Sequence, residues 1–215
     1  MATIKSFAAP HKGLRNIISK FSFQLGHTDF GEPLQLNKLK ALGTDMFTLL
    51  KDHVDTENDH TLKYLEERVH GASAHDKHDH EKLELIQDTL EHQLENLTGT
   101  ESADEIHSFY LNFSMFHSQY LEHIYEEETV TELLLQQNFT DEELFQHRAA
   151  IMQKISFPVM LLWMKYTIQA QSEKESLGML AGLKAHAPEQ AFKEVLGVIE
   201  AEMEIERYKS LIGKL

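Results

Sequence analysis

Proline and glycine are scarce in this chain, 4 and 10 in 215 residues, and they punctuate runs whose apolar residues recur at helical spacing. Pro10 opens a first helix over about 11–25, and Gly26 with the polar segment 26–33 ends it. A second helix starts at Pro33 or Leu34. Its stripe of Leu34, Leu39, Leu42, Met46, Leu49 and Leu50 keeps a period near 3.6 and continues to Val69, before Gly71. A third helix runs over about 76–97 on Leu83, Ile86, Leu90, Leu94 and Leu97. A fourth, capped by Thr100 or Ser102, extends to about Gln137. Thr140-Asp141-Glu142-Glu143 reads as a capping box for a fifth, which Pro158 should kink or divide near Ser156. Two more are expected over 173–186 and 188–213. No stretch alternates as a strand would, and no internal repeat or low-complexity linker is apparent. The expectation is an all-α fold: an up-down four-helix bundle over 8–137, with additional C-terminal helices over 138–215 packing on it.

A chain of this length buries enough core to fold without staples. It has no cysteine, which excludes disulfides, thiolate metal sites, iron–sulfur clusters and a cysteine nucleophile. Its net charge of −15 disfavours nucleic acid and anionic membrane surfaces. The most apolar stretch, Phe157 to Met164, is too short for a span of ~20 residues, and no signal peptide is apparent. A soluble, cytoplasmic protein is the simplest expectation. The motifs GxGxxG, GxxxxGK[ST] and GxSxG are absent, which removes the common nucleotide and serine-hydrolase readings.

The unusual count is 14 histidines. Imidazole is a common metal ligand, and four of these histidines fall in a pattern. His53 and Glu57 are four apart on the second helix, and His123 and Glu127 are four apart on the fourth. Residues at that spacing share a helix face, with Cβ atoms ~6 Å apart, so both side chains can reach one ion or two neighbouring ions. His11 lies on the first helix and His80 on the third. Helical bundles hold metals with ligands projecting inward from facing helices. The register works between the first and second helices and between the third and fourth. Between the second and third it misses by ~12 Å at ~1.5 Å per residue. Either the second helix ends early, or segment 69–79 folds back.

The order His11, His53-x-x-x-Glu57, His80, His123-x-x-x-Glu127 resembles the haemerythrin-like, HHE cation-binding family. DHEKLELI at 79–86 and HIYEEETV at 123–130 are similar to that family's third- and fourth-helix signatures. The resemblance covers about residues 8–137. It implies a four-helix bundle with two non-haem iron ions, ligated by His11, His53, His80 and His123, with Glu57 and Glu127 bridging or binding one each. An open position would take dioxygen, water or hydroxide. It implies oxygen binding, or iron and redox sensing, more than catalytic turnover. Zn or Mn also suits such donors. The chain departs from the oxygen carriers in two places. Asp76 and Glu84, not histidine, stand four residues from His80. The fourth helix offers Glu127 and Glu128 where the carriers place an aspartate five after the histidine. A regular helix favours Glu127, and a local bulge would bring in Glu128. Two alternatives stand beside this reading: a di-iron oxidase-type enzyme, and a metal-free helical scaffold working through its acidic surface.

The remaining histidines read differently. His60 shares a face with His53 and is expected beside the ligands or at the surface. His75 and His78 are expected in solvent, and His117 partly buried. His27, His70, His92, His107, His147 and His186 show no partner pattern and are expected at the surface. Phe109, Phe113, Met115, Phe116 and Tyr120 are expected in the core, as are Phe157, Met160, Leu161 and Trp163. The stripe Leu177, Leu180, Leu183, Phe192, Leu196 and Ile199 predicts that the C-terminal helices cover the bundle or build a homodimer contact.

Overall fold

The structure is a computed structural model, and it describes residues 2–215. Among them every regular element is helical, so the fold is all-α. The chain divides into two compact units. One is the segment up to Phe7 with Ile18–Lys154, the other Ala8–Ile17 with Ile155–Leu215. Helix α1 (Ala8–His27) is continuous through the division.

In the first unit α2 (Pro33–Thr56) passes through a π-helical turn, Glu57–Thr61, into α3 (Leu62–Arg68). After α4 (Ala74–Asn96), α5 (Ala103–Glu126) passes through a second π turn, Glu127–Thr131, into α6 (Glu132–Asn138). Pro33 falls in the first turn of α2, where its missing N–H is no loss. Ser102 and Glu105 form a reciprocal capping box that starts α5. At one end of the α2–α4 pair Lys40 Nζ donates to the Glu95 carbonyl at 2.8 Å, and at the other His80 meets Glu57. The two helices are therefore antiparallel. His75 beside Glu126 makes α4 and α5 antiparallel in the same way. The interior of this unit is aromatic: Phe21 of α1 meets Phe113 of α5 edge-on with centroids 4.6 Å apart, and Phe47 of α2 lies 6.4 Å from Phe21. Gly43 admits this packing, because a Cβ there would run into Leu94 and Phe21.

The doubtful register between the second and third helices closes through the connection. Gly71, at φ +84°, turns the chain back along α3. The Glu66 carboxylate then accepts from the Gly71 N–H, the Ser73 N–H and the Ser73 hydroxyl at 2.7, 3.2 and 2.8 Å. Ser73 thus stands level with Glu66, and α4 starts two residues earlier than the sequence suggested. Nine residues back to Glu57 and seven on to His80 differ by only ~3 Å.

The structure also shows a repeat that the sequence hides. The succession α2, π turn, α3 over 33–68 has the same boundaries as α5, π turn, α6 over 103–138, each offset by 70. Across those 36 positions only His53/His123, Glu57/Glu127, Thr61/Thr131 and Leu65/Leu135 are identical. So few identities explain why no repeat was apparent.

Helix α7 (Asp141–Met152) starts at the expected capping box of Thr140 and Glu143. It is not kinked at Pro158 but ends before it, and a new helix α8 (Phe157–Thr167) carries that proline in its first turn. After a 3-10 turn at Ile168–Ala170 come α9 (Glu173–His186), α10 (Glu189–Glu202) and α11 (Ile205–Ile212). The expected last helix is two, since Met203 leaves helical geometry. In this second unit the apolar stripe closes a core of its own: Leu180 and Ile199 are buried with Met164, Ile168, Val195 and Leu211, and Leu177, Leu183, Phe192 and Leu196 pack around them. Arg207 donates to the carbonyls of Gln169 and Gln171, tying α11 to the turn after α8.

Some expected core positions lie outside. Leu34 and Met115 are 78% and 61% exposed, and Phe157 is exposed as well. Leu36, not Leu34, carries the first inward turn of α2. No helix among the described residues is long and apolar enough to cross a membrane.

Candidate metal centre

Six residues singled out by spacing are all buried: His11, His53, Glu57, His80, His123 and Glu127. Carboxylates are almost never fully buried without a partner, and Glu127 is completely so. Their contacts follow from the two π turns. Each begins at the glutamate of a His-x-x-x-Glu pair, where the helix widens by one residue. π-Bulges of this sort are rare and frequent at functional sites. The bulge foreseen as an alternative in the fourth long helix is thus present, yet Glu127 points inward and Glu128 is only half-buried.

His53 Nε2 lies 3.3 Å from Glu57 Oε2 and 3.9 Å from Glu127 Oε2. His80 Nε2 lies 3.4 Å from Glu57 Oε2 and 3.4 Å from Glu127 Oε1. His123 Nε2 lies 3.4 Å from Glu127 Oε1, and its ring meets that of His80 edge-on at 4.7 Å. A charge-assisted N–H···O bond is shorter, about 2.7–2.9 Å. Donors sharing an ion at ~2.1 Å stand about 3.0 Å apart in an octahedron and about 3.4 Å in a tetrahedron. Four of the five separations, at 3.3–3.4 Å, lie near the second spacing, and His53 to Glu127 at 3.9 Å is longer. Within the first unit, Glu57, His80, His123 and Glu127 bring one donor atom per residue within 4.8 Å of each other. His53 faces the same two glutamates, and His11 is buried on α1.

The surroundings orient these donors. His80 Nδ1 lies 3.0 Å from Asn58 Oδ1, so Nδ1–H donates there and Nε2 faces the glutamates. Burial disfavours charge on His80, but the carboxylates of Glu127 and Glu57 outweigh it and raise its pKa to about 10. A metal entering this group must displace that proton. Asp76 is buried one turn before His80, where its Oδ2 accepts from the Thr131 hydroxyl at 2.7 Å. Burial pushes the Asp76 carboxyl up, against the pull of that hydrogen bond. Glu84 is half-buried on the same helix.

His147 departs from the surface reading. It is buried on α7, with Nε2 3.3 Å from Thr61 Oγ1 and its ring 4.6 Å from that of Tyr64. Its spacing of three from the buried Leu144 is the one signal that could have placed it inward. His60 is half-buried beside it, with centroids 6.5 Å apart. His117 is half-buried, and burial lowers its pKa. His75 is exposed and paired with Glu126 at 2.7 Å, and His78 is exposed. His27, His70, His92, His107 and His186 are exposed as expected. Asn58 had no signal in the sequence, since its role depends on the π turn that brings it beside His80.

Fold and site define an all-helical protein with buried histidine–carboxylate groups able to hold a metal ion. The chain is similar to proteins named F-box/LRR-repeat protein 5 from Danio rerio and Xenopus laevis, 25% and 24% identical over 139 residues. The similarity covers 64% of this chain and 20% of each relative, so the chain spans about a fifth of their length. No family model matches the chain, and no solved structure matches it.

Proposed function

We propose that this chain is a non-haem di-iron protein of the haemerythrin-like kind, which binds or senses oxygen, or iron and redox state, in a cytoplasmic setting. The carrying observation is the buried grouping of Glu57, His80, His123 and Glu127, with His53 lying 3.3 Å from Glu57 and 3.9 Å from Glu127. One ion would take His11 and His53, the other His80 and His123, and the two carboxylates would span both. The donor set fits: hard carboxylate oxygens with borderline imidazole nitrogens, and no thiolate, suit iron and also accept manganese or zinc. Such a centre supplies one-electron redox chemistry and a coordination position for a small ligand such as dioxygen. The protein's part is to hold Nε2 of each histidine inward, to keep the glutamates close to them, and to exclude bulk water with the buried side chains of Leu50, Val54, Phe116 and Ile124.

Elemental analysis of protein purified aerobically with iron supplied tests the reading. The expected result is about two irons per chain with ferric absorption in the near ultraviolet. Less than about half a metal per chain, after reconstitution under reducing conditions, would overturn it.

A further inference from the structure

Tyr120 is a buried titratable group without a task so far. It lies on α5, three residues before His123 and seven before Glu127, and so shares their face. Its ring packs 5.7 Å from Phe116 and 6.1 Å from His123. The side chain is buried, and among the described residues its hydroxyl has no hydrogen-bond partner. Leaving such a group dry costs about 1–3 kcal/mol.

Packing alone does not call for that oxygen. The 70-residue repeat places Leu50 at the corresponding point of α2, also completely buried. A side chain without a polar atom fills the same layer in one half, while the other half retains a phenol. We propose, resting on the di-iron reading, that Tyr120 donates a hydrogen bond from its hydroxyl to a small anionic ligand held at the centre. The phenol O–H is the donor, and its oxygen spends no hydrogen bond on the described protein groups around it. It would favour an anion on the α5 side of the centre, because Leu50, at the corresponding point of α2, has no polar atom.

Tyr120→Phe removes the oxygen and nothing else. Sodium azide is the probe, titrated into iron-loaded wild-type and variant protein and followed by the ferric charge-transfer band. The expected result is unchanged iron content and azide binding weakened about tenfold, the worth of one hydrogen bond to a charged group. A second measurement is urea unfolding of the metal-free proteins, where the variant should be as stable as wild type or more so. Equal azide affinity at equal iron content would overturn the role of Tyr120 and leave the di-iron reading standing. Iron lost in step with the oxygen, or a metal-free variant clearly less stable, would overturn it too, since the hydroxyl would then be a ligand or a structural bond. A wild-type protein that takes up no iron would overturn both.

Discussion

The two halves of the first unit, 33–68 and 103–138, share boundaries and a His/Glu/Thr/Leu stripe but differ in what surrounds it. At the end of the first π turn, Thr61 approaches His147 at 3.3 Å; at the end of the second, Thr131 donates to buried Asp76 at 2.7 Å. Gly43 in α2 stands where α5 has Phe113, so one half yields the space that the other half's ring fills beside Phe21. In α3 Leu62 is a core residue. Its counterpart Glu132 is also buried, and accepts from the backbone N–H groups of Ser6 and Phe7, both at 3.1 Å. Repetition holds the donors in matched positions, and divergence supplies everything that tunes them.

Glutamate and histidine substitutions test the sharing most severely. Glu57→Ala or Glu127→Ala should empty both ion positions, whereas His53→Ala or His123→Ala should leave about half the metal, read by elemental analysis. Loss of bound metal also removes mass-action stabilisation of about 2.7 kcal/mol at a hundredfold excess over Kd. The melting differences should therefore collapse when a chelator is present. Equal loss from both kinds of variant would break the idea of shared carboxylates. His92→Ala, at an exposed position, should change neither quantity.

The packing asymmetry gives the next effect. Phe113→Ala should cost about 3–5 kcal/mol, and Gly43→Ala about 1–3 kcal/mol by overpacking against Leu94 and Phe21, both from urea unfolding. A neutral Gly43→Ala would mean that the two helices can part without loss.

Thr131→Val should destabilise by about 1–3 kcal/mol by leaving buried Asp76 without its donor. Thr61→Val removes a longer contact and should cost less. The reverse order would show that His147, not Asp76, is the partner that matters.

The smallest effect is at Glu66, near the end of the first half, and at Glu143, just beyond the second. Glu66, bonded first by the Gly71 N–H, and Glu143, bonded first by Arg68, are both drawn down to about 2. A depressed carboxylate contributes stability that is full above its unfolded value of 4.5 and is lost as pH falls towards about 2. Both groups are solvent-exposed, so screening keeps the contribution modest. An acid titration of Glu66→Gln/Glu143→Gln should be flatter than wild type across that window. An unchanged profile would assign acid sensitivity to other groups.

Much of this was legible in the chain. Helix existence followed from periodicity, and helix ends from Gly71 and the Thr140–Glu143 box, because both signals are local. The six candidate ligands followed from i, i+4 spacing and order, since a helix fixes which side chains share a face. His147, Leu34 and Met115 were misplaced for a different reason. Their exposure depends on which neighbour covers them, and a lone residue at a stripe's edge carries no sign of that. The division at Pro158 was half read: proline stops one helix, but whether the chain bends or restarts depends on what the next turn packs against.

The sequence by itself determined an all-helical chain and the set of inward-facing donors, because backbone hydrogen bonding and face periodicity are short-range. Only the tertiary structure decided that both glutamates lie between the histidines, that the helices widen there, and that Tyr120 packs against His123 while Asn58 bonds His80. Those facts are long-range. They arise when antiparallel helices bring residues 20 to 70 positions apart within a few ångströms, and no local pattern encodes such distances.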